Sequence, residues 1–547
     1  MENTERRKPK KGTGRGNTAV FTIMVSNLII LAGRLLYDGM LGETGMGYYA
    51  AVYELFVFIM LLTGWYLPQA EAKAVRIRLA KGQIKNAKRV LHGTLLFGLG
   101  FGMIISAAVI FLSGTLAEKM LLQPLNSLAL CVMVLAVLFS VVISAYRGYF
   151  EGLGTNIPTN ISRVLEQIFA LGFGLVFGKM FYNYGEKTGK LVQNTNYAPA
   201  YTVVGILIGI IAAQVLVLVF LVFLNRVYAR SLKKQMSKDN SKIQDSYIEI
   251  IRNILISGLP YMLTMILVQG AVFIDMMLYM HYISGNTVQN YTVHYGSFYG
   301  KYCVIIGFFV CILCCTIAKP LAAIGHYHKR EEYRVVKDIF AGEIHTISLY
   351  GIPMAVLLAA LAEPITNMFF KKATGTVFLL QVSSSLIFFI PCALFCIYVL
   401  QSIGKTIVVL RNCVAAFMIQ MIAVVLLLRG VRAGIASVAY GYMFLFGVIT
   451  ILNGMTLLRY LKYSPEYIRT FAVPFLASAI CGVLDMLLAK AMLEKAGATV
   501  TSVVCILLGS IGYIVLLFAL NGVNEKELSK IPGGKMLSKV GQLLHFL

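Results

Sequence analysis

"RGYFEGLGTNIPTNISRVLEQIF", Arg147 to Phe169, separates two long apolar runs with two arginines, two glutamates, three glycines and a proline. Arg147 and Glu151 stand one helical turn apart, Gly152 and Gly154 permit a tight bend, and Pro158 suits the first turn of a following helix. Arg163 and Glu166 then share a helical face, close enough to offset each other. The stretch reads as helix, turn, helix. Displaced by about 250 residues, "YFEGLGTNIPTNIS" (Tyr149 to Ser162) falls on "VLQSIGKTIVVLRN" (Val399 to Asn412), with Gly154 over Gly404 and Glu151 over Gln401. The basic stretch "PQAEAKAVRIRLAKGQIKNAKRVL" likewise falls near "PLAAIGHYHKREEYRVVKDIF". Six apolar runs separate the copies, so the two halves share one orientation, a parallel repeat of the kind that places a substrate site between halves that rock. The stretch is expected to be a structural hinge, carried by Arg147, Glu151, Gly154, Pro158, Arg163 and Glu166, with Gly404 in the second copy.

The runs around it settle the class. Of 547 residues, 58% are hydrophobic and 13% charged, against about 25% charged in ordinary soluble domains. This is the composition of an all-α polytopic membrane protein. At about 20 apolar residues per crossing, fourteen spans are predicted: 18–38, 47–67, 90–113, 126–146, 158–178, 200–224, 253–280, 295–318, 341–362, 376–400, 406–428, 433–458, 470–489 and 499–522. With the N-terminus inside, 36 Lys/Arg fall on inner segments and 10 on outer ones, which supports the count and places both termini in the cytoplasm. The same bias accounts for a net charge of +24 without nucleic acid as a partner. The expected organisation is a basic tail (1–17), a first six-span lobe (18–224), a basic linker (225–252), a second six-span lobe (253–458), an extra span pair (459–522) and a cytoplasmic tail (523–547).

An ionisable group inside a span costs several kcal/mol unless it is paired or hydrated, so it is a functional candidate. Arg34, Glu54, Asp275 and Lys301 lie on spans 1, 2, 7 and 8, which the repeat makes equivalent in pairs. Together they would line a polar cavity, with Arg34 and Lys301 placed to hold a diphosphate and Glu54 or Asp275 to compete for those cations or carry a coupled proton. The plainer alternative pairs Arg34 with Asp38 one turn on, and Asp275 with Lys301 as a structural ion pair. Asp485, in the extra pair, reads as local.

Other signals are weak. "GKT" at Gly404 to Thr406 lacks the glycine that a phosphate loop needs, because Val399 stands there. His326 and His328 bring no further ligands, so no metal is expected. The ten cysteines lie in or beside apolar stretches and read as packing residues. No Ser/His/Asp or Cys/His constellation falls on one side of the membrane, so an enzyme is not expected.

"RLLYDGMLGETGMGYY" (Arg34 to Tyr49), "LAKGQIKNAKRVL" (Leu79 to Leu91), "RGYFEGLGTNIPTNISRVLEQ" (Arg147 to Gln167) and "LQSIGKTIVVLRN" (Leu400 to Asn412) resemble the multidrug/oligosaccharidyl-lipid/polysaccharide (MOP) exporter superfamily. The branch they resemble holds polysaccharide-biosynthesis proteins of Gram-positive bacteria, including stage V sporulation protein B, related to lipid II flippases. The resemblance implies a MATE-like fold and export of a lipid-linked sugar across the bacterial cytoplasmic membrane, the lipid tail staying in the bilayer. In such flippases basic residues on spans 1, 2 and 8 line the cavity. Here Arg34 and Lys301 match, but no second basic residue lies between Val20 and Gly33, and span 2 offers the acid Glu54.

The leading expectation is therefore a flippase for an undecaprenyl-diphosphate-linked sugar, either lipid II or a polysaccharide repeat unit. Membrane potential, a proton or Na+ would be the coupling agent, and no other cofactor is implied. A cation-coupled multidrug antiporter is the first alternative. A non-transporting scaffold for cell-wall synthesis proteins is the second.

Overall fold

The computed structural model of the chain describes residues 13–236, 244–283, 288–370 and 374–523. Most of the basic tail 1–17, part of the linker 225–252 and nearly all of the tail 523–547 lie outside them. Every described element is helical, as apolar surroundings demand: an α-helix satisfies its backbone hydrogen bonds within one segment. The order is α1 (Thr13–Thr63), α2 (Leu67–Ala80), α3 (Ile84–Thr115), α4 (Ser127–Gly152), α5 (Ile157–Val192), α6 (Tyr197–Met236), α7 (Tyr247–Ile283), α8 (Val288–Ser297), α9 (Cys303–His328), α10 (Tyr333–Ala360), α11 (Ala362–Phe369), α12 (Thr374–Ser383), α13 (Leu386–Ser402), α14 (Thr406–Leu426), α15 (Ala436–Leu461) and α16 (Val473–Ala519).

Eleven continuous helical runs are long and apolar enough to cross a membrane, or twelve with the pair α12 and α13, which bend by 51° at a short break. Two of these runs hold two crossings each. α1 turns at Gly42 (φ 65°) and α16 at Gly497 (φ 76°), positive angles that glycine reaches without steric cost. Among the described residues this makes fourteen crossing segments, two parallel six-helix halves and the extra pair in α16.

The repeat is visible in the backbone. α4 ends with Gly154 at φ 82°, its N–H donating to Glu151 O (3.2 Å) while Thr155 N donates to Phe150 O (3.2 Å). α13 ends with Gly404 at φ 81°, donating to Gln401 O (3.1 Å), with Lys405 N to Leu400 O (2.8 Å). Both are Schellman caps. The same cap closes the two basic loops, at Gly82 (φ 73°) after α2 and at Glu331 (φ 61°) after α9. No atom stands within 4 Å of a Cβ built on Gly154 or Gly404. The cost of Gly154→Ala and of Gly404→Ala is therefore conformational alone, and each is expected to destabilise by about 1 kcal/mol in matched thermal melts.

One expectation fails in detail. The stretch 179–199, read as an outer loop, continues α5 to Val192 and starts α6 at Tyr197. Gly185 and Gly189 let α6 come close there, and Lys190 pairs with Glu186 one turn back (2.8 Å).

Candidate functional site

Arg34 sits on the first limb of α1, two turns before the bend at Gly42. Its guanidinium carbon lies 4.2 Å from the centre of the Tyr299 ring and 5.8 Å from that of Tyr53. Tyr53 follows Tyr49 by one turn, and the two rings stand 5.5 Å apart. Tyr299 in turn approaches Tyr49 (6.3 Å) and Tyr295 (6.5 Å). The hydroxyls of Tyr295, Tyr299 and Tyr442 are buried with no hydrogen-bond partner among the described residues. Glu54, on the second limb of α1, is buried and acts electrostatically on Arg34. No carboxylate lies within ion-pair distance of Arg34, Asp38 included, among the described residues. The plainer alternative, an Arg34–Asp38 pair, is absent among the described residues, where the tyrosine faces take the guanidinium instead. These tyrosines were not among the expected site residues. Their signal was the four-residue spacing of Tyr49 with Tyr53 and of Tyr295 with Tyr299.

Lys301 occupies a π-helical turn, Phe298–Tyr302, just before α9. Its Nζ donates to Glu43 Oε1 at 2.5 Å, with side-chain exposures of 8% and 41%. Asp38 lies beside this pair and Phe370 packs over the ammonium at 5.9 Å. With Leu35, Gly39 and Phe369 these groups line a cleft of about 330 Å³. Lys301 therefore has Glu43 as its partner, an acid that the sequence alone did not single out.

Asp275 is wholly buried on α7 and accepts from Gln420 Nε2 of α14 at 2.6 Å on both oxygens. The expected Asp275–Lys301 pair is absent, since each has another partner. Asp485 is buried within α16 against Gly509, where a Cβ would meet its Oδ2 at 1.9 Å, in keeping with a local role.

The Glu43–Lys301 pair belongs to a larger contact between the halves. Tyr291 Oη donates to Leu122 O (2.7 Å), His281 Nε2 meets Lys119 O (3.0 Å), and Gln123 Nε2 donates to Thr292 Oγ1 (3.4 Å). Beneath them α1 and α8 touch backbone to backbone: a Cβ on Gly296 would lie 1.9 Å from Glu43 O, and one on Gly47 2.2 Å from Thr292 O. Among the described residues these contacts join the two halves between the cluster around Arg34 and the ends formed by residues 119–123 and His281. Glu43→Ala is expected to weaken this junction more than Lys301→Ala. Removing Glu43 leaves the Lys301 ammonium, 8% exposed, without its partner, whereas removing Lys301 leaves Glu43, 41% exposed, to be hydrated. Chemical labelling of His281, whose Nε2 meets Lys119 O across the contact, checks the order.

At the opposite, basic face the expected hinge exchanges its partners. Arg147 pairs with Glu166 (2.6 Å) and donates to Ser162 Oγ (2.9 Å), while Arg163 approaches Glu151 at 3.6 Å. The neighbours expected along one helix, Arg147–Glu151 and Arg163–Glu166, are both displaced. The bend at Gly154 brings α5 back against α4, so each arginine reaches across the turn. Pro158 lies in the first turn of α5 as expected. Arg76 of α2 adds two hydrogen bonds to Glu151 O (3.3 and 3.0 Å). Among the described residues no cluster of His, Cys, Asp and Glu could hold a metal ion, and all ten cysteines are free thiols.

No curated protein sequence matches the chain. Solved structures do. An outward-facing multidrug resistance MATE family transporter of the MOP superfamily shares 15% identity over 82% of this chain and 97% of its own, with a TM-score of 0.56. An inward-facing one gives 0.53 at 15% identity, over 82% and 95%. A MOP superfamily transporter from Pyrococcus furiosus, whose binding pocket is described as reversed in polarity, gives 0.51 at 14% identity, over 82% and 98%. At such identities these likenesses establish the fold. The profile of the family described as polysaccharide biosynthesis protein matches residues 17–315, more than half of the sequence. The chain belongs to the polysaccharide biosynthesis protein family.

Proposed function

We propose that this exporter flips a lipid-linked sugar whose head group carries a diphosphate, with Arg34 as the anion-binding group. The observation that carries the reading is the Arg34 guanidinium, half-buried between tyrosine faces with no carboxylate at ion-pair distance among the described residues. A guanidinium so placed is pre-oriented, and in low dielectric its bidentate hydrogen bonds to a phosphate are strong. The faces of Tyr49, Tyr53 and Tyr299 around it offer apolar surface to a sugar ring, and the unpartnered hydroxyls of Tyr295, Tyr299 and Tyr442 offer hydrogen bonds to its hydroxyls. Alternating access then requires the Glu43–Lys301 seal to part, which frees Lys301 to meet the anion on release. Glu54 and Asp275 are the proposed carriers of a coupled proton or Na+. The setting is the bacterial cytoplasmic membrane with both termini inside.

Proteoliposomes loaded with lipid II, or with a capsular-type lipid-linked oligosaccharide, test this with and without a membrane potential. Movement of either supports the reading. A cation-coupled multidrug antiporter is the second reading, favoured by the excess of acids (Asp38, Glu43, Glu54 and Asp275) over Arg34 and Lys301. Drug efflux in cells with neither lipid moving selects it.

A further inference from the structure

We propose that Glu71 is a proton-binding site of the first half, held neutral by the seam between α2 and α4 and ionised when that seam parts. Glu71 lies on α2 outside the cluster around Arg34 and is 0% exposed. Its hydrogen-bonding neighbour is the Thr94 hydroxyl of α3, which also donates to Val90 O (3.0 Å). From α4 the titratable group acting on it is Tyr149, itself buried. From α7 and the residues before it, the neighbours of α2 and α3 are Gly258 against Tyr66, Ile250 and Tyr247 against Gly93, Tyr247 also under Arg89 (4.6 Å), and Asp245, which is paired with Arg78 (2.6 Å). No lysine or arginine acts on Glu71 among the described residues. A carboxylate in such a place has lost its hydration with no cation to offset the charge, so the packed seam holds the acid form.

The seam is built to close on that form. A Cβ on Gly148 would stand 2.7 Å from Pro68 Cα and 2.9 Å from Glu71 Oε2, and one on Gly152 2.6 Å from Val75 Cβ. The glycine notches let α2 lie directly on α4 with the carboxyl between them. The second half carries a buried acid of its own: Glu343 stands where Thr94 does in the repeat, displaced like Glu331 from Gly82, and it accepts from Thr316 Oγ1 at 2.6 Å, a hydroxyl that also donates to Leu313 O (2.8 Å).

Ionisation has a route to the other half. α2 carries Arg78, which pairs with Asp245 (2.6 Å), and Asn86 after it exchanges hydrogen bonds with the same residue (3.3 and 3.2 Å). Asp245 directly precedes α7. When Glu71 releases its proton to water on the basic face, the resulting carboxylate must be hydrated, α2 lifts from α4, and the start of α7 moves with it. The inference does not depend on which substrate is exported.

Hydrogen exchange of the full chain in nanodiscs, followed peptide by peptide as pH rises and corrected for the intrinsic rate, tests it. Exchange over Leu67 to Ala80 is expected to rise by at least about tenfold in a single titration step. Glu71→Gln, which keeps the shape of the acid form, is expected to abolish that step, and Glu343→Gln to retain it. The proposal is overturned if the wild type shows no step in α2, or if the step persists in Glu71→Gln. The wild-type arm decides even where the variant fails to fold.

Discussion

Arg34→Ala is expected to lower the flipping rate of a diphosphate-linked sugar in proteoliposomes by about 100-fold, corresponding to the ~3 kcal/mol lost when a buried charged hydrogen-bonding partner is removed. The guanidinium contributes through three features, and each can be removed separately. Arg34→Lys keeps the charge but loses the planar fork and the stacking, and is expected to fall about tenfold. Tyr299→Leu keeps the arginine but removes the ring 4.2 Å away, a loss of ~1 kcal/mol in orientation. Tyr299→Phe keeps the ring and tests the unpartnered hydroxyl alone. Flipping unchanged in Arg34→Ala would remove the diphosphate reading, because Lys301 is already engaged by Glu43 in this state.

The second large effect is expected at Gly296→Val. Its Cβ would fall 1.9 Å from Glu43 O and 2.7 Å from Gly47 N, so backbone would have to move in both α1 and α8. No flexible side chain can yield there. The closed form is expected to lose at least ~3 kcal/mol, the upper range for overpacking. The loss would appear as a lowered midpoint in thermal melts or as labelling of Lys301 that the wild type resists. Gly172→Ala is the control: no atom lies within 4 Å of its Cβ, and alanine favours the helix. If both variants behave alike, the α1–α8 contact does not hold the halves together.

Much of the fold was legible in the chain. Long apolar runs can cross a membrane only as helices, so their count follows from composition and length. The matched glycines, Gly154 and Gly404, signalled the repeat because a Schellman cap needs a positive φ that glycine supplies. Glu331 takes the same conformation without glycine, so only the backbone revealed the second pair of turns.

The site was legible as a set of residues but not as a set of partnerships. Burial makes each charge within a span expensive, and that marked Arg34, Glu54, Asp275 and Lys301. Partner choice depends on helices far apart in sequence. Gln420 reaches Asp275 from α14, and Glu43 reaches Lys301 across the line between the halves. The exchange of Arg147 and Arg163 between Glu166 and Glu151 turns on the angle at which α5 returns to α4. Glu71 went unmarked because its segment reads as a basic loop, and only the packing of α2 against Gly148 and Gly152 buries it. The sequence by itself determined the membrane class, the fourteen spans and the duplicated halves, since those depend on transfer of whole segments out of water. Tertiary structure alone decided which charges meet, because that depends on distances of a few ångströms between helices the chain does not make neighbours.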